Sequence, residues 1–239
     1  AFGSIDSMLA SGIVADPSSW TVTVDNGTAT LSGVLSGGGE TAGSMLAFPV
    51  AANVTGLAGT NFVTDARLVN LGAATTVTLD YYKANANGMA EPTTTAEVML
   101  AAGEQAVLND IVAATFDKAG TRGAIVATSE GSVNGSMRIY NDQIDAGLGT
   151  FGQYLDGMEI DRAPTSGTMP FLSNEDSASG AGYRTNIGWF NPGENAVSVT
   201  FTAYDTDGSM LDTASFEIAS MAQEQFAVSA NKLFPSLDP

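Results

Sequence analysis

The sequence predicts an all-β protein: two tandem antiparallel β-sandwich units with short end helices, one unit being split between the two chain ends. Three observations predict it. Short alternating apolar segments recur at regular spacing, separated by turns rich in Gly, Asn and Pro, which is the signature of sandwich strands. Hydrophobic residues make up 44% of the chain and charged residues only 14%, so the surface is built largely from Ser, Thr, Gly and Asn, as in β-rich domains. Finally, residues 62–72 (FVTDARLVNLG) recur as residues 183–193 (YRTNIGWFNPG). Thr64 matches Thr185, 121 residues on; Asp65 matches Asn186, Asn70 matches Asn191 and Gly72 matches Gly193.

The elements follow in order. Ile5, Met8 and Leu9 fall at helical spacing, so residues 1–17 read as a short amphipathic helix and loop ended by Asp16-Pro17. Residues 20–25 (WTVTVD) alternate strictly and form a strand. Asn26-Gly27 is a hairpin turn, and residues 28–36 return as a second strand. Residues 44–50 make a third strand, and residues 51–61 a linker.

The first complete unit then occupies residues 51–163. Its strands are expected at 62–71, 75–83, 93–100, 124–129, 131–140 and 150–155. Val77, Leu79 and Tyr81 alternate along the second of these. Residues 104–116 carry Val107, Leu108, Ile111, Val112 and Phe116, and read as a short helix against the sandwich end. A Pro-, Ser- and Gly-rich connection at 163–170 leads to the second unit, residues 164–239. Its strands are expected at 183–190, 196–204 and 213–219, with Val199 and Phe201 in the places of Val77 and Leu79. Residues 225–237 take the place of the end helix.

Nothing in the second unit matches residues 124–155. A half-sandwich would keep an uncovered apolar face and unpaired strand edges. Residues 1–50 resemble the missing part: WTVTVDNGTATLSGVLS (20–36) compares with GAIVATSEGSVNGSMRIY (123–140), and GSMLAFP (43–49) with GTFGQYL (149–155). The segment SIDSMLASG likewise compares with LNDIVAATF. Two arrangements satisfy this. The N-terminal strands fold back and complete the second unit of the same chain, or they complete that of a neighbour. The second contact is head-to-tail and propagates unless it closes a ring. Its expected interface residues are Trp20, Val22, Val24, Leu31, Leu35, Met45, Leu46 and Phe48 on the donor side, and Trp189, Phe201, Phe216 and Phe226 on the acceptor side.

Composition narrows the chemistry. Twenty-six acidic against 8 basic residues give a net charge of −18, which disfavours nucleic acid and anionic membranes as partners. Cysteine and histidine are both absent. Disulfides, thiolate metal sites and Cys nucleophiles are therefore excluded, along with the commonest general base. No apolar run approaches the ~20 residues of a membrane helix. Ala1 in place of Met suits a mature exported chain. No catalytic signature emerges, and the chain is expected not to be an enzyme.

The segments FVTDARLVN (62–70), Gly103-Glu104 with Leu108-Asn109-Asp110, SMRIY (136–140) and GTFGQ (149–153) resemble tandem Ig-like β-sandwich repeats of secreted bacterial proteins. The second unit keeps Thr185, Asn191-Pro192-Gly193 and Asn231, but has Gly188 where the first has Arg67. The resemblance implies an extracytoplasmic sandwich and brings no catalytic residues.

Other candidates are few. Asp205, Asp207 and Asp212 gather carboxylates that suit Ca²⁺; the spacing misses the EF-hand loop, and the same residues read as a hairpin turn. Calcium is the single cofactor considered. Arg67 and Arg138 lie in apolar strands, where pairing with Asp65 or Asp80 is expected. Trp20 and Trp189 suit either an interface or a sugar-stacking platform. The expected function is a subunit of an extracellular filament or surface array, joined head-to-tail by strand complementation. The alternative is a monomeric secreted adhesion or carbohydrate-binding module, its permuted fold closed on itself.

Overall fold

The computed structural model describes residues 20–25, 28–33, 43–56, 59–170, 185–227 and 233–234, with the side chains of 20–33 and 226–227 outside it. The expected helix at 1–17 and the strand residues 34–36, Leu35 among them, lie outside the described residues. The described chain is all-β, and its strands pair antiparallel throughout.

A hairpin opens it: β1 (Trp20–Asp25) pairs with β2 (Thr28–Gly33). Next comes a two-layered body. It contains β3 (Ser44–Thr55), β4 (Asn61–Asn70), β5 (Thr75–Lys83), β6 (Thr94–Leu100), β7 (Gln105–Leu108), β8 (Thr121–Ser129), β9 (Val133–Gln143) and β10 (Gly149–Asp156). One layer runs β6-β5-β8-β3 and the other β10-β9-β4, with β7 on the second edge of β4. β3 joins the layers, pairing with β8 through most of its length and with β4 through Val54 and Thr55. Between them lies a core of Leu46, Phe48, Leu68, Val77, Leu79, Tyr81, Ile125 and Met137. This is β-sandwich-like packing, in which alternate residues of each strand point inward.

β3 corrects the sequence reading. Residues 44–50 and the supposed linker form one twelve-residue strand. Its register shifts between Phe48 and Ala51, and Pro49 sits in that irregularity, where its missing N–H is tolerated. The strand continues because Ala51 and Ala52 are small and buried. Thr64 fixes it as well: its hydroxyl accepts from the Ala52 N–H at 2.8 Å and donates to the Ala52 carbonyl at 3.1 Å.

The expected helix at 104–116 is a second correction. β7 takes its first half, with Val107 57% exposed on the outer side, and one helical turn, Ile111–Thr115, takes the second. Between them Asp110 adopts a left-handed φ of 45°, which no continuous helix accepts. Asp110 is held there by its N–H donating to Asp65 and its carboxylate accepting from Asn53 Nδ2. Ile111, Val112 and Phe116 close the end of the core.

After β11 (Met158–Glu159), paired to β3, and a short 3-10 turn (Ile160–Arg162), a smaller body follows. It contains β12 (Asn186–Phe190), β13 (Val197–Tyr204), β14 (Met210–Ile218) and β15 (Gln223–Ala227). β12 pairs with β15 and β13 with β14, as two separate two-stranded sheets.

Candidate assembly site

The geometry around Asn70 recurs around Asn191. Asn70 Nδ2 donates to the carbonyls of Ala73, Leu100 and Ala101 at 2.7, 3.2 and 3.0 Å, and Oδ1 accepts from Gly72 N–H at 2.9 Å. Asn191 Nδ2 donates to Asn195, Ile218 and Ala219 at 2.8, 3.1 and 3.1 Å, and Oδ1 accepts from Gly193 N–H at 3.0 Å. Both side chains are buried. The backbone repeats the match: Asn70 N–H donates to Glu104 and Asn191 N–H to Ala222. Gly103 and Met221, which donate back to the two Asn carbonyls, both have positive φ. Asn is the residue for this task, since its amide supplies two donors and an acceptor on one short arm. The matching residues Asn70 and Asn191 were visible in the sequence; their bonding was not, because the partners lie about thirty residues away.

These networks align the two bodies strand for strand. β12 corresponds to β4, β13 to β5, β14 to β6 and β15 to β7. Ile111 and Val112 correspond to the buried pair Leu233 and Phe234. Among the described residues the smaller body has no counterpart of β8 or β9. β4 is flanked by β7 and β9, but β12 by β15 alone; β5 is flanked by β6 and β8, but β13 by β14 alone. Among the described residues, each of the two small sheets therefore has one edge, on β12 or β13, to which no strand is paired.

The interior reflects the difference. Trp189, Phe201 and Phe216 come together around Ile187, with ring centroids 5.4, 5.7 and 6.4 Å apart. They are only half-buried, whereas Leu68 and Leu79, in the places of Trp189 and Phe201, are 1% and 0% exposed. Val197 remains 42% exposed. The exposed remainder of this cluster retains a driving force of about 2.5 kcal/mol per further 100 Å² covered.

The expected interface residues divide accordingly. Trp189, Phe201 and Phe216 are brought together. Phe226 pairs by its backbone with Ile187, and its side chain lies outside the described residues. Trp20, Val22, Val24 and Leu31 occupy β1 and β2, with side chains likewise outside. Leu46 and Phe48 are corrected: at 2% and 0% exposure they belong to the first core of their own chain. Met45, 48% exposed, sits on the same strand.

The calcium candidates do not converge. Asp205 Oδ1 accepts from the N–H groups of Asp207 and Ser209 in a turn closed by Gly208 (φ 83°), and Asp212 accepts from Thr213 N–H. No group of three or more acidic side chains suited to a metal ion occurs among the described residues. The expected arginine ion pairs are absent as well. Arg67 donates to Asn109 and Arg138 to Thr150; Arg138 also lies 4.6 Å from the centroid of Tyr140. The ion pair among the described residues is Arg162–Glu159 at 2.9 Å.

The two bodies meet through the loop after β5. Asn85 N–H donates to the Gln223 carbonyl and Met89 N–H to that of Ser220, while Tyr82 and Phe190 pack at 6.1 Å. Gln223 is 2% exposed, and its side-chain oxygen has no hydrogen-bond partner among the described residues. Beside this junction runs a cleft of about 1270 Å³, walled by Val50, Val54, Phe62, Ile139 and Leu155 and by the polar face of β12 and β15. Lys83 and Arg122 line it, and among the described residues no carboxylate does. Gly188 lies on this wall, so a long side chain in the position of Arg67 would project into the cleft.

No family model matches the chain, and no curated protein matches its sequence. A solved chain titled "Crystal Structure of Thermotoga maritima 1070" is similar over 49% of this chain and 95% of that one, with 13% identity and a TM-score of 0.38. No helix among the described residues is long and apolar enough to cross a membrane.

Proposed function

We propose that this protein is a non-enzymatic, secreted structural subunit. It consists of Ig-like sandwich units in tandem, and copies join head-to-tail because the N-terminal strands of one complete the smaller body of the next. The observation that carries this reading is the strand-for-strand match between the bodies, which among the described residues stops at the counterparts of β8 and β9 and leaves an edge of β12 and of β13 without a paired strand. Exposed edges beside a half-covered apolar face are what strand addition uses.

Completion by a neighbour is supported by where the N-terminal segment departs. Ser44 pairs with Ser129 at one end of the larger body, while Asn53, Thr121 and Lys83 mark the other end, where the smaller body docks. The run from Ser44 to Asn53 is about 30 Å. Within one chain, residues 34–43 would have to return along it almost taut, since they span at most ~35 Å. Between copies no such tension arises, and the head-to-tail contact repeats into a filament. The donor is confined to residues before Gly43, because β3 is already used. Negative-stain imaging of the intact chain tests the reading: polymers are expected, and a uniformly monomeric protein defeats it.

The cleft favours a second reading, the closed monomeric adhesion module. A concave site between two bodies is where small ligands commonly bind, and the described residues that line this one include Lys83 and Arg122 but no carboxylate, in a chain of net charge −18. Binding of the monomer on a glycan array would support that reading, and an empty array would remove it.

A further inference from the structure

Resting on the strand-complementation reading, we infer that the β1–β2 hairpin does not dock as a unit but parts, β1 of one copy joining the free edge of β13 in the next and β2 the free edge of β12. In the larger body the two strands that flank β5 and β4 are β8 and β9. They are consecutive in the chain, yet they do not pair with each other. β8 lies in one layer against β5, and β9 in the other against β4. The two edges of the smaller body that lack a paired strand among the described residues likewise belong to two separate sheets, brought face to face by Trp189 against Phe201 and Phe216. An intact hairpin could extend only one of them.

The register follows from the match. Val77, Leu79 and Tyr81 of β5 stand opposite Ser129, Ala127 and Ile125 of β8. Carried over, Phe201 stands opposite Val24 of the incoming β1 and Ala203 opposite Val22. For the other layer, Ala66 and Leu68 stand opposite Met137 and Gly135, which sets Ile187 opposite Gly33 and Trp189 opposite Leu31. In this register the apolar alternates of both sequences (Trp20, Val22 and Val24; Ala29 and Leu31, with Gly33) share the alternation of the positions matched to Phe201, Ala203, Ile187 and Trp189, and the Thr and Ser residues fall at the positions between them. A shift of one residue would reverse this. Opening costs little, because an isolated two-stranded hairpin is marginal in water. Residues 25–28 reach about 10 Å, the separation of two packed layers.

The chain has no cysteine, so engineered pairs report cleanly. Strand neighbours lie within disulfide reach. Carried over from Asp80–Val126 and Arg67–Ser136, the pairs are Thr23 with Thr202 and Ser32 with Gly188. Full-length Thr23→Cys chains are mixed with Thr202→Cys chains, and Ser32→Cys with Gly188→Cys, then oxidised; Thr23→Cys with Ala203→Cys is the control. Polymer formation is followed by light scattering before oxidation. Disulfide-linked dimers from both test pairs and none from the control are expected. Linkage in one test pair alone means the hairpin docks intact and overturns the inference. Polymers without either linkage overturn it too, while leaving strand complementation standing. Neither polymers nor linkage defeats both. An intrachain disulfide in a monomer carrying both Thr23→Cys and Thr202→Cys replaces the second copy with closure in one chain.

Discussion

At the scale of single residues, the two buried asparagines decide how each body closes. Asn70 ties three carbonyls from two turns to one amide. Asn70→Ala leaves the buried Leu100 carbonyl without that donor, and is expected to cost about 3 kcal/mol, read as a lower urea midpoint with unchanged slope. Tyr81 makes a second testable point. It is fully buried in the first core; burial pushes its hydroxyl above the usual tyrosine range, and the hydrogen bond with Thr121 partly offsets this. The native state then keeps a proton that the unfolded chain releases. Stability is therefore complete below pH ~10 and falls as pH rises toward the folded value. Tyr81→Phe should remove part of that slope, measured by urea unfolding between about pH 9 and 11. Part of the slope remains, because burial raises Tyr82, Tyr140 and Tyr154 in the same direction. An unchanged slope in the variant would contradict the assignment to Tyr81.

At the scale of elements, β3 revises what can be donated. Removing residues 1–42 leaves Ser44, Leu46 and Phe48 in place, so the larger body should keep its cooperative melting transition in circular dichroism. Removing residues 1–50 takes two fully packed core side chains, a loss of more than about 5 kcal/mol, and should abolish that transition. Equal behaviour of the two truncations would mean that β3 is not integral to the first core. The contrast also shows what the sequence could reveal. Period-two alternation marked β1, β5 and β13, in which apolar residues fall on every second position. β3 escaped because its irregular pairing at Pro49 interrupts the alternation. β7 escaped because four residues, followed by the apolar Ile111 and Val112, imitate helical spacing. The meeting of Trp189, Phe201 and Phe216 was legible as alternate residues of matching strands. The calcium triad forms no acidic cluster among the described residues, and Asp205 Oδ1 accepts from the N–H groups of its own turn.

At the scale of the whole molecule, the larger body is a finished core, whereas among the described residues the smaller one has two strand edges without a paired strand and a partly exposed aromatic cluster. Its incompleteness and the N-terminal strands are, in our proposal, donor and acceptor of one contact made between copies. The most direct test is capping. A peptide of residues 18–36 is added to the chain lacking residues 1–42, and, in parallel, to the intact protein before it assembles. The account predicts stoichiometric binding to the truncated chain with a rise in its melting temperature, and shortening of the polymers of the intact protein seen by negative stain. No binding to the truncated chain, together with an intact protein that stays monomeric at every concentration, would contradict it.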